Sequence, residues 1–241
     1  MPSSGDGNGA MAASAASGAG APPRRFRGLL LRVASAAILA PLCLAAIWFG
    51  FPWIDLMAAT AAPILLGEWL RLTRGRPVVR GLAILYGLAA IVALLWLRHQ
   101  PDRGRETVLW VVACVWATDI GAYFVGSLAG GARLAPAISP GKTWSGLVGG
   151  ICLSAIVSAT CGLVFARGDT IALALVGAGI AIVAQAGDLL ESAAKRRAGL
   201  KDSGHVIPGH GGLLDRVDGL IAALVFVGAA RLIAGGAWPW A

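Results

Sequence analysis

The sequence is poor in charged residues. Only 13% of its 241 residues are Asp, Glu, Lys or Arg, whereas 57% are hydrophobic. Soluble domains carry about 25% charged residues, so this composition excludes an ordinary soluble domain. The mean hydropathy of +0.75 predicts a polytopic membrane protein instead.

Cysteine residues are also few. The chain has four cysteines, all in apolar stretches and none in a CxxC pair: Cys43, Cys114, Cys152 and Cys161. This spacing argues against disulfides and against a cysteine metal site, and we interpret the four as small buried apolar residues. Neither a Walker A sequence nor the Rossmann glycine pattern occurs in the chain.

Lysine is rare, with three lysines against seventeen arginines. The three, Lys142, Lys195 and Lys201, all fall in polar segments near the ends of apolar runs. A compact ammonium group contacts a single phosphate oxygen, unlike the planar guanidinium fork of arginine. The restriction of lysine to these segments therefore predicts contacts to phosphate. A random choice of cation in positively charged loops is the alternative.

Long apolar runs are abundant. They lie near residues 28–49, 52–70, 81–97, 107–128, 144–166, 170–190 and 219–237. Their lengths predict an all-α polytopic membrane protein with about seven transmembrane helices, within a range of six to eight, and cytoplasmic polar loops. Residues 1–23 consist mainly of Gly, Ala, Ser and Pro and are expected to form a disordered tail. We expect residues 24–241 to form one transmembrane domain.

The distribution of positive charge predicts the orientation. With the N-terminus in the cytoplasm, the inner segments carry fifteen Lys and Arg residues and the outer segments five. The net charge of +8 is therefore interpreted as a topology signal, and no nucleic-acid partner is expected. We expect the protein in the inner (plasma) membrane, with its polar site facing the cytoplasm.

One polar segment interrupts the apolar pattern. Residues 192–218 read SAAKRRAGLKDSGHVIPGHGGLLDRVD and hold two of the three lysines and two of the three histidines. An apolar chain has no structural need for so many charges in one place, so the segment predicts a functional site.

Acidic residues flank this segment. Asp188 lies near the end of the sixth run, and Asp215 and Asp218 lie three residues apart at the start of the seventh. That spacing puts both carboxylates on one helix face, where they repel each other unless a cation intervenes. The three carboxylates, Asp188, Asp215 and Asp218, suit Mg²⁺, which prefers oxygen ligands. The alternatives are solvated helix ends, including Glu191, or a helix cap with Arg216 as counter-ion.

Two further motifs predict anion binding. The Pro-Gly-His-Gly-Gly sequence at 208–212 enters a helix start, where the N–H groups of Gly211 and Gly212 can contact phosphate. His210 is expected to bind phosphate or to move a proton. Lys142, in Ser-Pro-Gly-Lys-Thr-Trp at 139–144, is expected at another helix N-terminus. Asp119, inside the fourth run, is a further candidate; a structural hydrogen bond to Tyr123 is the alternative.

The segment 192–218 resembles the signature of the phosphatidate cytidylyltransferases (CDP-diacylglycerol synthases). The matching positions include Ser192, Lys195, Lys201, Gly-His-Gly-Gly at 209–212 and Asp-Arg-x-Asp at 215–218. Upstream, Asp-x-Gly-Ala-Tyr at 119–123 and Gly-Asp-Leu-x-Glu-Ser at 187–192 also resemble the family pattern. The resemblance covers roughly residues 110 to 220.

The resemblance implies that CTP and phosphatidate react to give CDP-diacylglycerol and pyrophosphate, with Mg²⁺, among membrane lipids. It implies catalytic roles for Asp188, Lys195, Asp215 and Asp218. Substrate contacts are expected from Lys142, Ser192, Arg196, Lys201, Asp202, His210, Gly211, Gly212 and Arg216. A second cation such as K⁺ and a homodimer are left open.

The sequence departs from the family pattern at a few places. Gly141 stands where the family usually has a second lysine, Ser145 where it usually has glutamate, and Ala194 where a larger apolar residue is common. Three alternative functions remain open, and only the last of them, an inactive homologue, is suggested by Gly141 and Ser145. One is a cytidylyltransferase for another lipid phosphate, such as an archaeal-type ether lipid or a polyprenyl phosphate. The others are a transporter that uses the intramembrane acids and an inactive homologue with a scaffold role.

Overall fold

A computed structural model describes residues 24–166, 169–207, 211–235 and 238. Within these residues the chain forms seven α-helices: α1 (Arg24–Phe49), α2 (Trp53–Leu72), α3 (Pro77–Arg98), α4 (Gly104–Ala129), α5 (Trp144–Cys161), α6 (Thr170–Arg197) and α7 (Leu214–Ala234). A short π-helix (Gly162–Ala166) continues α5.

Six of the described helices, α2 to α7, are long and apolar enough to cross a membrane. The helix α1 contributes a shorter apolar stretch, Val33–Phe49. The predicted all-α polytopic fold is thereby confirmed. The tail expected at residues 1–23 lies outside the described residues.

The polar segment 192–218 is only partly a loop. The helix α6 continues to Arg197, so Ser192, Lys195 and Arg196 are helical, and α7 already begins at Leu214. Three basic residues in the last turn of α6 favour this extension, because cations stabilise the negative end of a helix. The segment between the two helices, residues 198–213, is called the loop below; the structure describes its residues 198–207 and 211–213.

A small hairpin replaces the loop expected between the fourth and fifth runs. Strands β1 (Arg133–Ala135) and β2 (Ser139–Thr143) pair antiparallel. The Oγ1 of Thr143 accepts a hydrogen bond of 3.0 Å from the N–H of Gly146 and so caps α5. Thr143 is thus the N-cap of α5, as expected for a helix N-terminus, and Lys142 directly precedes it as the fourth residue of β2. Local pairing with β1 holds it in extended backbone.

The helices alternate in direction, which brings the polar segments to one end of the bundle. There, an Arg76 guanidinium nitrogen lies 3.5 Å from the carbonyl oxygen of Arg197, and Arg196 Nε lies 3.4 Å from that of Ile138. At the opposite end His99 Nε2 lies 3.3 Å from an Asp55 carboxylate oxygen. The end that holds the hairpin and the loop 198–213 is called the polar end below.

Close packing of α4 on α5 depends on glycine. The two helices touch through Gly121 and Gly149, and a Cβ atom added at Gly121 would lie 2.5 Å from the carbonyl oxygen of Gly149. Helices approach this closely in membranes only where small residues line the contact. The contact fixes α4, and with it one wall of the cavity described below.

Gly121→Ala is expected to lower the free energy of unfolding by about 1–3 kcal/mol, because the new methyl group overpacks a backbone contact. Thermal unfolding in detergent micelles measures the effect. Gly81→Ala on α3 is the matched control, since no atom lies within 4 Å of its added Cβ. Equal unfolding temperatures for the two variants would contradict the packing argument.

Candidate active site

A cavity of about 310 Å³ opens at the polar end between α4, α6 and α7. It lies where the charged ends of α6 and α7 meet. Its lining combines apolar groups with most of the charged residues of this region: Val115, Asp119, Ala184, Asp188, Lys195, Asp215, Arg216, Asp218, Gly219 and Leu220. Four of the residues predicted for the site from its two helix ends, Asp188, Lys195, Asp215 and Asp218, thus share one cavity.

Three carboxylates lie close together here: Asp188 and Asp218 line the cavity, and the buried Glu191 lies beside them. One oxygen from each of Asp188, Glu191 and Asp218 lies within 4.8 Å of the others. Asp188 and Glu191 are three residues apart on α6 and therefore share a face, and Asp218 reaches them from α7. So many acidic groups at the end of membrane helices are costly without cationic partners.

Lys195 joins two of the buried acids. Its Nζ lies 2.5 Å from Glu191 Oε2, one helical turn away, and 2.8 Å from Asp215 Oδ1 on α7. The side chains are almost sealed from solvent, with 14% exposure for Lys195, 1% for Glu191 and 7% for Asp215. The ammonium group thus offsets two carboxylates that would otherwise face each other uncompensated.

Lys142 reaches the same site from the hairpin. Its Nζ lies 2.6 Å from Asp188 Oδ2 and 2.6 Å from the amide oxygen of Gln185. Ser192 adds a weaker contact of 3.3 Å to the other oxygen of Asp188. The two lysines therefore both pair with acids of the site, whereas the contacts to phosphate predicted for them remain a prediction.

Asp215 has different partners from Asp188 and Asp218. Its carboxylate accepts hydrogen bonds from the N–H groups of Ser203, at 3.0 and 3.2 Å, and of Gly212, at 2.9 Å, besides its contact with Lys195. The metal role of Asp215 remains a prediction. In the geometry, Glu191 is the third member of the oxygen cluster.

The other predicted substrate-binding residues have different positions relative to the cavity. Arg216 lines it, whereas Lys201 and Asp202 are exposed on the loop and do not. Arg196 points to the hairpin carbonyl of Ile138. Their substrate contacts stay predictions. His210 lies outside the described residues.

The glycines of the loop have structural partners. The N–H of Gly212 is bonded to Asp215, and Gly211 adopts a φ of +84°, a conformation that favours glycine. Phosphate contacts from these two residues also remain predictions. The conformation of Gly211 brings the chain back toward Ile207, whose N–H donates to the carbonyl oxygen of Gly211 at 3.0 Å.

Sequence reasoning missed two residues that contact the site. Gln185 precedes Asp188 by one turn and accepts from Lys142. Glu68 of α2 is buried and binds the loop 198–213. Glu68 is an acid near the end of an apolar run, a signal that was available in the sequence. Gln185 offers no comparable signal beyond its position one turn before Asp188.

The departures Gly141 and Ser145 lie in the hairpin and at the start of α5. Ser145 Oγ donates to the carbonyl oxygen of Gly130 and contacts Thr143 Oγ1 at 3.1 Å. A side chain at 141 would meet no atom within 4 Å of its Cβ. Ser145 thus ties the end of α4 to the start of α5, and neither departure alters the contact between Lys142 and Asp188.

The donor set fits a magnesium ion. Mg²⁺ binds oxygen ligands at about 2.0–2.1 Å, so opposite ligands in its octahedron are about 4 Å apart. The oxygens of Asp188, Glu191 and Asp218 lie within 4.8 Å of one another, near that span. The cluster offers only oxygen atoms, and its members Asp188 and Asp218 line the cavity, which leaves room for water or phosphate ligands.

The apolar helices and the acidic, lysine-flanked cavity at one end of the bundle define a membrane protein with a polar site. Residues 77–233 match the model of the Cytidylyltransferase family, and the chain belongs to this family. The family resemblance seen in the sequence is thereby confirmed.

Several curated relatives carry the name phosphatidate cytidylyltransferase. The chain is 40% identical to that of Brucella suis biovar 1 over 170 residues, which covers 70% of this chain and 62% of the relative. It is 33% identical to that of Rickettsia felis over 205 residues, covering 81% of this chain and 88% of the relative. It is 45% identical to that of Haemophilus influenzae over 134 residues, which covers 53% of this chain and 46% of the relative. The match thus spans about 62% of the length of the Brucella relative.

Proposed function

We propose that the protein transfers the cytidylyl group of CTP to phosphatidate, giving CDP-diacylglycerol and pyrophosphate. The observation that carries the proposal is the cluster of Asp188, Glu191 and Asp218, paired with Lys142 and Lys195 and adjoining one cavity. Carboxylates and lysines together suit a triphosphate with its metal ion. The names of the relatives supply the two substrates.

The chemistry needs no nucleophile from the chain. A phosphate oxygen of phosphatidate forms a bond to the α-phosphorus of CTP, and the bond from that phosphorus to the bridging oxygen breaks. Pyrophosphate leaves with the electron pair. Because the attacking phosphate is already anionic at neutral pH, catalysis consists of positioning and charge neutralisation.

The residues in and near the cavity would have different roles in this reaction. Asp188 and Asp218, with Glu191 or Asp215, would hold Mg²⁺, which supplies charge neutralisation for the phosphates of CTP when bound. Lys142 and Lys195 would contact phosphate oxygens and stabilise the departing pyrophosphate. The exposed cations Arg196, Lys201 and Arg216 would attract both anionic substrates to the polar end.

The proposed location is the inner membrane, with the polar end facing the cytoplasm. The greater number of Lys and Arg residues in the segments at that end supports this orientation. A site at the end of the bundle suits one substrate that is soluble and one that stays in the bilayer. The acid cluster lies at one end and does not extend across the spans, so a transporter is not favoured.

The activity is tested with purified protein in liposomes, labelled CTP and phosphatidate. We expect CDP-diacylglycerol and pyrophosphate in equal amounts when Mg²⁺ is present, and no product when EDTA removes it. Competition with polyprenyl phosphate and with an ether-lipid phosphate tests the choice of lipid. Absence of product in conditions where a known cytidylyltransferase works would refute the proposal.

A further inference from the structure

Glu68 is a buried carboxylate that the proposed chemistry does not use. It lies near the end of α2, is 5% exposed, and precedes the family match at residues 77–233. Its Oε2 accepts hydrogen bonds from Ser203 Oγ at 2.9 Å and from the N–H of Leu214 at 2.7 Å. Its Oε1 accepts from the N–H of Leu213 at 3.0 Å.

These bonds compensate the burial of the carboxylate. Among the described residues, no Lys, Arg or His forms an ion pair with Glu68. Two of its three donors are N–H groups at the start of α7, where the helix dipole favours a negative charge. The helix α7 has no side-chain cap at Leu213. Glu68 takes the place of that cap from a different helix.

The segment that bonds to Glu68 also bonds to Asp215, which lines the cavity. Ser203 donates its hydroxyl group to Glu68 and its backbone N–H to Asp215. The N–H of Gly212 bonds to Asp215, whereas the next two N–H groups bond to Glu68. Asp218 follows one turn later on the same helix. Glu68 and Asp215 therefore bind neighbouring groups of the same segment at the start of α7.

Two glycines make room for Glu68. A Cβ atom at Gly212 would lie 2.7 Å from Glu68 Oε1 and would overlap Ser203 Oγ. A Cβ atom at Gly204 would overlap Glu68 Oε1 as well. The absence of side chains at both positions thus allows the loop to close around the carboxylate. Packing around Glu68 thus explains why position 212 holds glycine, independently of the predicted phosphate contact.

We infer that Glu68 is a positioning residue, which anchors Ser203 and the start of α7 and thereby holds Asp215 and Asp218 at the cavity. The inference rests on the proposed function for its kinetic consequence. The hydrogen-bond network itself, from Glu68 through Ser203 to Asp215, is independent of that function.

Glu68→Gln tests this role with little change in shape. One amide NH₂ replaces an acceptor, so at least one of the three hydrogen bonds is lost. We expect faster hydrogen exchange of the backbone in residues 203–218, measured by mass spectrometry in micelles, with exchange in α4 and α5 unchanged. We expect kcat to fall about 100-fold, as for a small misplacement of reacting groups, with little change in the KM for CTP.

Glu106→Gln is the matched control, since this carboxylate lies on α4 near the other end of the bundle and pairs with Arg105 at 2.8 Å. We expect its kcat to equal that of the unmodified protein. Ser203→Ala removes a single hydrogen bond and is a milder second variant. Its kcat is expected to fall about tenfold, and less than that in the presence of Glu68→Gln, because both act through one network.

Two outcomes overturn the inference. One is unchanged exchange in residues 203–218 of a folded Glu68→Gln or Ser203→Ala protein. The other is exchange that rises equally in all helices, which indicates a general loss of stability. If the unmodified protein makes no CDP-diacylglycerol, the proposed function fails, whereas the exchange measurement still decides the anchoring role of Glu68.

Discussion

Asp218→Asn is expected to lower the formation of CDP-diacylglycerol by about 1,000-fold or more, with normal insertion in the membrane. The substitution removes one of three converging carboxylates and keeps the shape of the side chain. Loss of a single electrostatic group at a reacting phosphate costs about 100- to 1,000-fold in rate, and weaker Mg²⁺ binding adds to this effect. Initial rates in liposomes at several Mg²⁺ concentrations measure it.

The control for this variant is Asp55→Asn. Asp55 also lies near the start of a membrane helix, but it pairs with His99 at 3.3 Å at the end away from the cavity. We expect its turnover to remain normal. Near-normal turnover of Asp218→Asn would remove Asp218 from the metal site.

Lys195→Met is expected to lower the free energy of unfolding by about 3–5 kcal/mol. Methionine fills a similar volume but leaves Glu191 and Asp215 buried without their shared cation, and breaking a buried ion pair from one side typically costs this amount. Thermal and denaturant unfolding in micelles measure the loss. We also expect the variant to lose turnover, because the ammonium group is a proposed phosphate contact.

The double variant Lys195→Met with Glu191→Gln separates the two effects. The neutral amide removes the uncompensated charge of Glu191, so part of the stability should return while turnover stays low. Arg74→Met, an exposed cation in the turn after α2, is expected to change stability by less than about 0.5 kcal/mol. Unchanged unfolding of Lys195→Met would contradict the pairing described here.

The sequence predicted the helices well because apolar runs of membrane length leave the backbone few alternatives to helix. It also predicted that Asp188, Lys195 and Asp218 share a site, since their positions at two adjacent helix ends follow from the runs. The extension of α6 to Arg197 was missed because charged residues ended the apolar run before the helix itself ended.

The partners of Asp215 show what spacing alone leaves undecided. Residues three apart share a helix face but differ by about 4.5 Å along the axis. Asp215 therefore meets the N–H groups of the loop, and Asp218 meets the acids of α6. That difference depends on where α7 begins, which in turn depends on the contact of Leu214 with Glu68.

Contacts between residues far apart in the sequence could not be predicted from local patterns. Glu68 and Ser203 are 135 residues apart, and Lys142 and Gln185 are 43 apart. Such pairs follow from how α2, α6 and the hairpin pack, which no local pattern contains. The hairpin itself was missed because strands of three and five residues leave too short a signal in a segment rich in Gly and Pro.

The order in which the chain is synthesised gives the pairing of charges another consequence. Asp188 pairs with Lys142, which lies on an earlier segment, and Glu191 pairs with Lys195 of its own helix. Asp215 pairs with the same Lys195, which is synthesised before α7. Each of these acids can therefore enter the bilayer with its cation already present in the nascent protein. When the spans insert from the N-terminus onward, the acids of α6 thus have their cationic partners on an earlier segment or on α6 itself.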